Sequence, residues 1–209
     1  MVPDVLVDPN AFFEREARSP GWLRPTGIVI LAALVSIAGS VPILQASFRN
    51  LPPEVGAFSL VFYIIGVLAG FVATLLFWLL YAGSFHVISA VAFGGSGSFG
   101  DTLKLAGWGF IPHVFAGIVS ASVNVYVFSD VTFPSDPTAI DAFVTSLRSR
   151  PVFLVTELLS VAFLLWSGFL WMFAMSHGRN LPLREAAITV GIPVAFALLF
   201  RVYSMMGGL

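Results

Sequence analysis

The sequence predicts an all-α fold, a polytopic membrane helical bundle with five transmembrane helices plus short interfacial amphipathic helices. Three observations carry this. Hydrophobic residues make up 58% of the 209 positions and charged residues only 10%, whereas soluble domains are about half apolar and about a quarter charged. The mean hydropathy is +0.95. The few charges are spaced so that five uncharged apolar stretches, each long enough to cross a bilayer, lie between them.

A hydrocarbon core of about 30 Å needs about 20 apolar residues in a helix, so the distance between charges is the ruler. Residues 1–24 come first and carry Asp4, Asp8, Glu14 and Glu16. They lack the basic start and short apolar core of a secretory signal, and are expected to be retained. Asp8 can cap a helix opened by Pro9. With Phe12 and Phe13 set among Glu14, Arg15, Glu16 and Arg18, the expectation is an interfacial helix whose phenylalanines sit in the headgroup boundary.

The first span is expected over 27–45, between Arg24 and Arg49. The second, 58–85, sits in a run far longer than one crossing requires, which ends at Gly94-Gly95-Ser96-Gly97 in what reads as a flexible loop. The third is expected over 105–128. Residues 129–151 form an extracytoplasmic loop, where Asp136-Pro137 opens a second amphipathic helix with the stripe Ile140, Phe143, Val144 and Leu147 resting on the membrane. The fourth and fifth spans, 152–175 and 186–206, are joined so briefly that they must be antiparallel neighbours. The whole of 1–209 reads as one membrane domain.

Basic residues near the helix ends set orientation. A cytoplasmic N-terminus gathers Arg15, Arg18, Arg24, Lys104, Arg179 and Arg184 on that side, and leaves Arg49, Arg148, Arg150 and Arg201 on the other. Six against four favours a cytoplasmic N-terminus and an extracytoplasmic C-terminus in the cell membrane. A net charge of −1 offers no basic excess for phosphate backbones, so nucleic acid is not expected as a partner. With no cysteine, thiolate catalysis, disulfides and thiolate metal sites are excluded.

The candidate site residues are the polar groups inside the spans. An ionised side chain at mid-bilayer costs about 2.5–3.5 kcal/mol on insertion scales. Glu157 and Arg201 fall at matching depth on neighbouring helices, which predicts an ion pair that Asn124 on the third helix can extend. A structural clamp weighs more heavily than a substrate or proton site. His113 follows Pro112 near the middle of the third helix, and reads as a hydrogen-bonded packing residue ahead of a proton relay or ligand. His86, His177 and Asp101 could meet at the inner face, but no metal-ligand spacing supports them. No metal, cofactor or catalytic residue is expected.

Gly94-Gly95-Ser96-Gly97 matches the Gly-x-Ser-Gly string of rhomboid-like intramembrane serine proteases. Its setting in a surface loop, with no histidine placed to activate Ser96, reads as a turn. Pro42, Pro112 and Pro193 should bend the first, third and fifth helices. Gly66 with Gly70, Gly117 with Ala121 and Gly191 with Ala195 are small-xxx-small pairs that let helices approach within the bundle.

The Asp-Pro-x-x-Phe-Phe opening, the Pro20-Gly-Trp-Leu-Arg-Pro25 lead into the first span and Gly97-Ser-Phe-Gly-Asp-Thr-Leu-Lys-Leu-Ala-Gly-Trp-Gly-Phe-Ile-Pro112 resemble the prokaryotic branch of the Yip family. So does the stretch from Trp166 through Ser176-His-Gly-Arg-Asn to the Pro193 helix. Gly107, Trp108 and Pro112 carry the most specific part, a Gly-aromatic...Pro element. The eukaryotic members are five-span proteins named for interaction with Ypt/Rab GTPases, and the resemblance implies a cytoplasmic N-terminus and a membrane-organising or trafficking-type role. It brings no catalytic residues. Their long N-terminal arm with its Tyr-Gly element has no counterpart in the two dozen residues before the first span, so GTPase binding is doubtful for this chain.

The expected function is therefore non-enzymatic, organising membrane or recruiting protein partners or further copies of the chain, with the lipid bilayer as its constant partner. The alternative is a small-molecule or ion transporter using Pro112, His113, Glu157, Arg201 and Asn124. A polar cavity reaching His113 would favour it; a core closed by apolar side chains would favour scaffolding. The third class, an intramembrane hydrolase, would need Ser96 buried beside a histidine.

Overall fold

The computed structural model describes residues 2–49, 53–134 and 136–205. The helices are α1 (Val2–Val7), α2 (Pro9–Glu16), α3 (Leu23–Phe48), α4 (Pro53–Phe93), α5 (Phe99–Trp108), α6 (Ile111–Phe128), α7 (Pro137–Arg148), α8 (Pro151–Gly178) and α9 (Leu183–Met205). No strand occurs among the described residues. Among the described residues, five helical stretches are long and apolar enough to cross a membrane: Leu23–Phe48, Phe58–Phe93, Ile111–Phe128, Pro151–Gly178 and Leu183–Ser204. Helices are the expected answer, because hydrocarbon offers no hydrogen bonds and the backbone must satisfy its own. The expected fifth-span limit at 206 lies outside the described residues.

Small residues bring the central helices together. A Cβ on Gly117 of α6 would lie 2.9 Å from Val35 Cγ1 of α3, and one on Gly39 of α3 would lie 3.1 Å from Ala121. Gly70 and Gly66 face Ile37 and Leu44 of α3. The Gly191 pair behaves differently, since a Cβ there meets open space. Tyr81 and Phe85 of α4, Phe110 between α5 and α6, and Trp171 of α8 cluster with ring centroids 4.6–6.0 Å apart, the spacing at which aromatic quadrupoles attract.

Four features depart from the sequence reading. The third span is not one helix bent at Pro112. α5 ends at Trp108 and α6 starts at Ile111 with Pro112 in its first turn, where a missing N–H costs nothing because the first helical amides have no intrahelical partner. His113 therefore sits in a first turn rather than mid-helix. Second, α2 forms with Asp8 Oδ1 accepting from the Ala11 amide at 3.0 Å, but Phe12 and Phe13 are buried in the bundle. Phe12 packs edge-on against Trp108 at 4.8 Å, because burial against that indole removes more apolar surface from water than the wet headgroup layer does.

Third, α4 continues to Phe93, and the glycine-serine loop after it is pinned, as described below. Fourth, α7 is capped by Asp136, whose side chain accepts from the Thr138 amide at 2.9 Å, but Leu147 and Phe143 join Ala46, Val127 and Phe128 in a second apolar cluster. That part of the stripe packs on protein rather than on lipid. Arg49 closes the same end, its guanidinium donating to the Ser129 carbonyl at 2.7 Å.

Candidate functional site

The break in the third span is built by two indoles. Trp78 Nε1 of α4 donates to the Leu103 carbonyl at 2.8 Å, and Trp171 Nε1 of α8 donates to the Ala106 carbonyl at 2.7 Å. The last turn of α5 closes on itself, the Gly109 and Phe110 amides donating to the Ala106 and Gly107 carbonyls at 3.1 Å each, and the two indoles add further donors to α5 carbonyls where no water competes. Glycines admit the neighbours. A Cβ on Gly109 would overlap the Trp171 indole, and one on Gly107 would lie 2.7 Å from Pro25 Cβ. Trp108, buried beside them, has no hydrogen-bond partner for its indole nitrogen among the described residues. Of the motif residues, Gly107 and Pro112 thus serve the break and Trp108 receives Phe12.

His113 faces this break. Its Nδ1 lies 3.0 Å from Ser167 Oγ of α8, while the Ser167 hydroxyl donates to the Phe163 carbonyl at 3.1 Å. With the serine hydroxyl turned to that carbonyl, the pair lacks the arrangement of a nucleophile and its base, where the hydroxyl points at the ring nitrogen. Phe110 stacks on the imidazole at 4.9 Å and Trp171 lies 6.0 Å away.

The four intramembrane polar candidates do not form one cluster. Arg201 Nη1 lies 3.5 Å from Glu157 Oε2, with side chains 38% and 45% exposed. Asn124 does not extend this pair; its Nδ2 donates to the Gly39 carbonyl across the α3–α6 seam at 2.9 Å. His113 has its own partner in Ser167.

The densest polar arrangement was not legible as a site. Arg179, at the end of α8, is 1% exposed. Its Nε donates to Ser89 Oγ at 2.9 Å, Nη1 to the Gly97 carbonyl at 2.6 Å and Nη2 to the Gly95 carbonyl at 2.8 Å. Its own carbonyl accepts from the Ser96 amide at 3.0 Å. The planar fork meets two carbonyls and a hydroxyl at once, which offsets the cost of burying the charge; burial pulls its pKa below the usual guanidinium value. Ser96 is exposed, its Oγ accepting from Asn180 Nδ2 at 2.7 Å. Gly94 and Gly97 have φ of 65° and 95°, conformations glycine adopts without strain. The glycines were the available signal of a turn; the arginine that fixes it, 82 positions from Gly97, gave none.

Next to this turn a cleft of about 400 Å³ is lined by residues including Arg18, Asp101, His177 and Asn180. Its polar groups answer one another. Arg18 pairs with Glu14 at 2.8 Å, Asp101 with Lys104 at 3.0 Å and His177 Nε2 with Asn10 Oδ1 at 2.8 Å. The hydrogen bond from Ser98, then Lys104, holds the Asp101 carboxyl below its usual range. His86 bonds elsewhere, to Thr102 Oγ1 at 3.2 Å, so His86, His177 and Asp101 do not converge.

Five apolar spans, a packed aromatic centre and polar side chains spent on tying helix ends together define a multi-pass membrane helical bundle. Within that class the chain belongs to the Yip1 domain family, whose sequence profile matches residues 4–204. It is also similar to an uncharacterized protein of the archaeon Methanocaldococcus jannaschii, 27% identical over 125 residues, which is 59% of this chain and 88% of the relative. No solved structure matches the chain.

Proposed function

We propose that this Yip1-family protein is a non-enzymatic single membrane domain that organises membrane or recruits partners, protein or further copies of itself. The supporting observation is the closure around His113: Phe110 stacks on the ring and Trp171 packs beside it, while its hydrogen bond goes to Ser167, a fully buried side chain. A transport site would need water at that depth. Side chains instead connect helix to helix there. On this reading the N-terminus is cytoplasmic and the C-terminus extracytoplasmic in the cell membrane, from the six-to-four bias of basic residues. Glu157 with Arg201, Asn124 with Gly39 and His113 with Ser167 act as clamps.

The chain has no cysteine, so single cysteines report cleanly. Ser167→Cys in sealed vesicles should resist a membrane-impermeant thiol reagent from both faces, while Ser19→Cys and Ser204→Cys should react from opposite faces. Rapid labelling of position 167 would replace the proposal with the transporter reading. Labelling of 19 and 204 from one face would refute the topology.

A further inference from the structure

The apolar lengths of neighbouring helices disagree. In α9 the apolar stretch Leu183–Ser204 has 22 residues, about 33 Å at about 1.5 Å per residue. In α4 the apolar stretch Phe58–Phe93 has 36 residues, about 54 Å by the same rise. The two helices touch. Hydrocarbon is about 30 Å thick. A tilt at the upper end of the observed range, about 40°, still leaves α4 roughly 10 Å too long.

Trp78, Ala82, Phe85 and Ser89 turn one face of the C-terminal half of α4 into the bundle, but the rest of its described residues stay open at least in part. The most apolar window of α4 has none of its residues buried, and apolar side chains stay open at both ends, Leu60 at 65% and Val91 at 83% exposed. On the thin side, Glu157 and Arg201 are open enough to reach headgroups or water. No flat hydrocarbon slab satisfies both edges.

We propose that lipid accommodates this difference, so that the protein carries a step in bilayer thickness around its perimeter, thick along α4 and of ordinary thickness along α9. The step deepens the membrane-organising reading and rests on it: it is a means by which the bundle sorts or bends lipid. The energetic basis is that each ångström of mismatch costs a fraction of a kcal/mol, and lengthening the local acyl chains relieves it.

The test reconstitutes the full chain in phosphatidylcholine vesicles mixing short and long acyl chains, with single fluorescent labels at Leu60→Cys, Val91→Cys or Ile192→Cys. Ile192, on α9, is 54% exposed. Quenching by brominated long-chain lipid, relative to brominated short-chain lipid, should be at least about threefold stronger at positions 60 and 91, with no preference at 192. Equal quenching at all three positions, as from a steeply tilted α4, overturns the inference. So does access of an aqueous quencher to 60 or 91, or a disulfide between two copies through either α4 cysteine, which would make a second chain the cover. The broader reading fails separately, through labelling of Ser167→Cys, which leaves the quenching ratio unchanged.

Discussion

Gly109 and Trp171 occupy one another's space: the indole of α8 lies where a Cβ of residue 109 would stand, and its Nε1 reaches past to the Ala106 carbonyl at 2.7 Å. The break in the third span exists because a residue with no side chain meets the largest side chain in the core. Gly109→Ala should force the indole away, lose that hydrogen bond and destabilise the protein by about 3 kcal/mol, the scale of an overpacked core plus a buried indole N–H left unmet. Gly191→Ala, where a Cβ meets open space inside α9, should be neutral or stabilise by about 0.5–1 kcal/mol, as alanine does over glycine in a helix. Thermal unfolding in detergent, followed by tryptophan fluorescence, compares the two.

Arg179 holds Ser89, Gly95 and Gly97 with one guanidinium. Arg179→Lys keeps the charge and loses the fork, so it should not rescue the clamp. Both Arg179→Lys and Arg179→Ala should cost about 2–4 kcal/mol through carbonyls left unmet. Hydrogen exchange at the Ser96 amide should speed up in each variant. Unchanged exchange in the lysine variant would show that charge alone suffices.

Glu157 and Arg201 stand 3.5 Å apart and partly open, at the outer limit of hydrogen-bond distance. Their coupling in a double-mutant cycle should be small, about 0.5 kcal/mol, as for pairs that solvent or headgroups screen. The charge-swapped Glu157→Arg with Arg201→Glu should be more stable than either single reversal. If it is not, the pair carries no attraction.

Asp101 gives a pH dependence of definite sign. The Ser98 hydroxyl, then Lys104, lowers its pKa below the ordinary 3.8 in the folded protein. The folded state then binds fewer protons than the unfolded one, so this contribution is complete above 3.8 and is lost as pH falls through 3.8 to the depressed value. Asp101→Asn should flatten the stability profile in that acid window and leave its slope near neutrality unchanged. Unfolding midpoints across the acid range read the difference.

The number of crossings and the class of fold could be read from charge spacing, since hydrocarbon tolerates few ionised groups and the 1.5 Å helical rise converts residues to depth. The family could be read from the stretch ending at Pro112. The two Asp-Pro helix starts were legible for a local reason: an Asx side chain and a proline at the first position suit a helix N-terminus whatever surrounds it. The same depth arithmetic put Glu157 level with Arg201, and the structure places them 3.5 Å apart.

Partners distant in sequence were beyond reach. Pro112 can bend a helix or begin one, and the choice lay with Trp78 and Trp171, on two other helices, which feed the carbonyls of α5. The side on which Phe12 and Phe13 bury depended on an indole about a hundred positions away. Arg179 looked like one more boundary charge until α4 brought Ser89 and the glycine turn to it. Composition and spacing decide what the solvent will be, because that is summed over the chain; which polar group answers which is decided by contacts that exist only once the helices have packed.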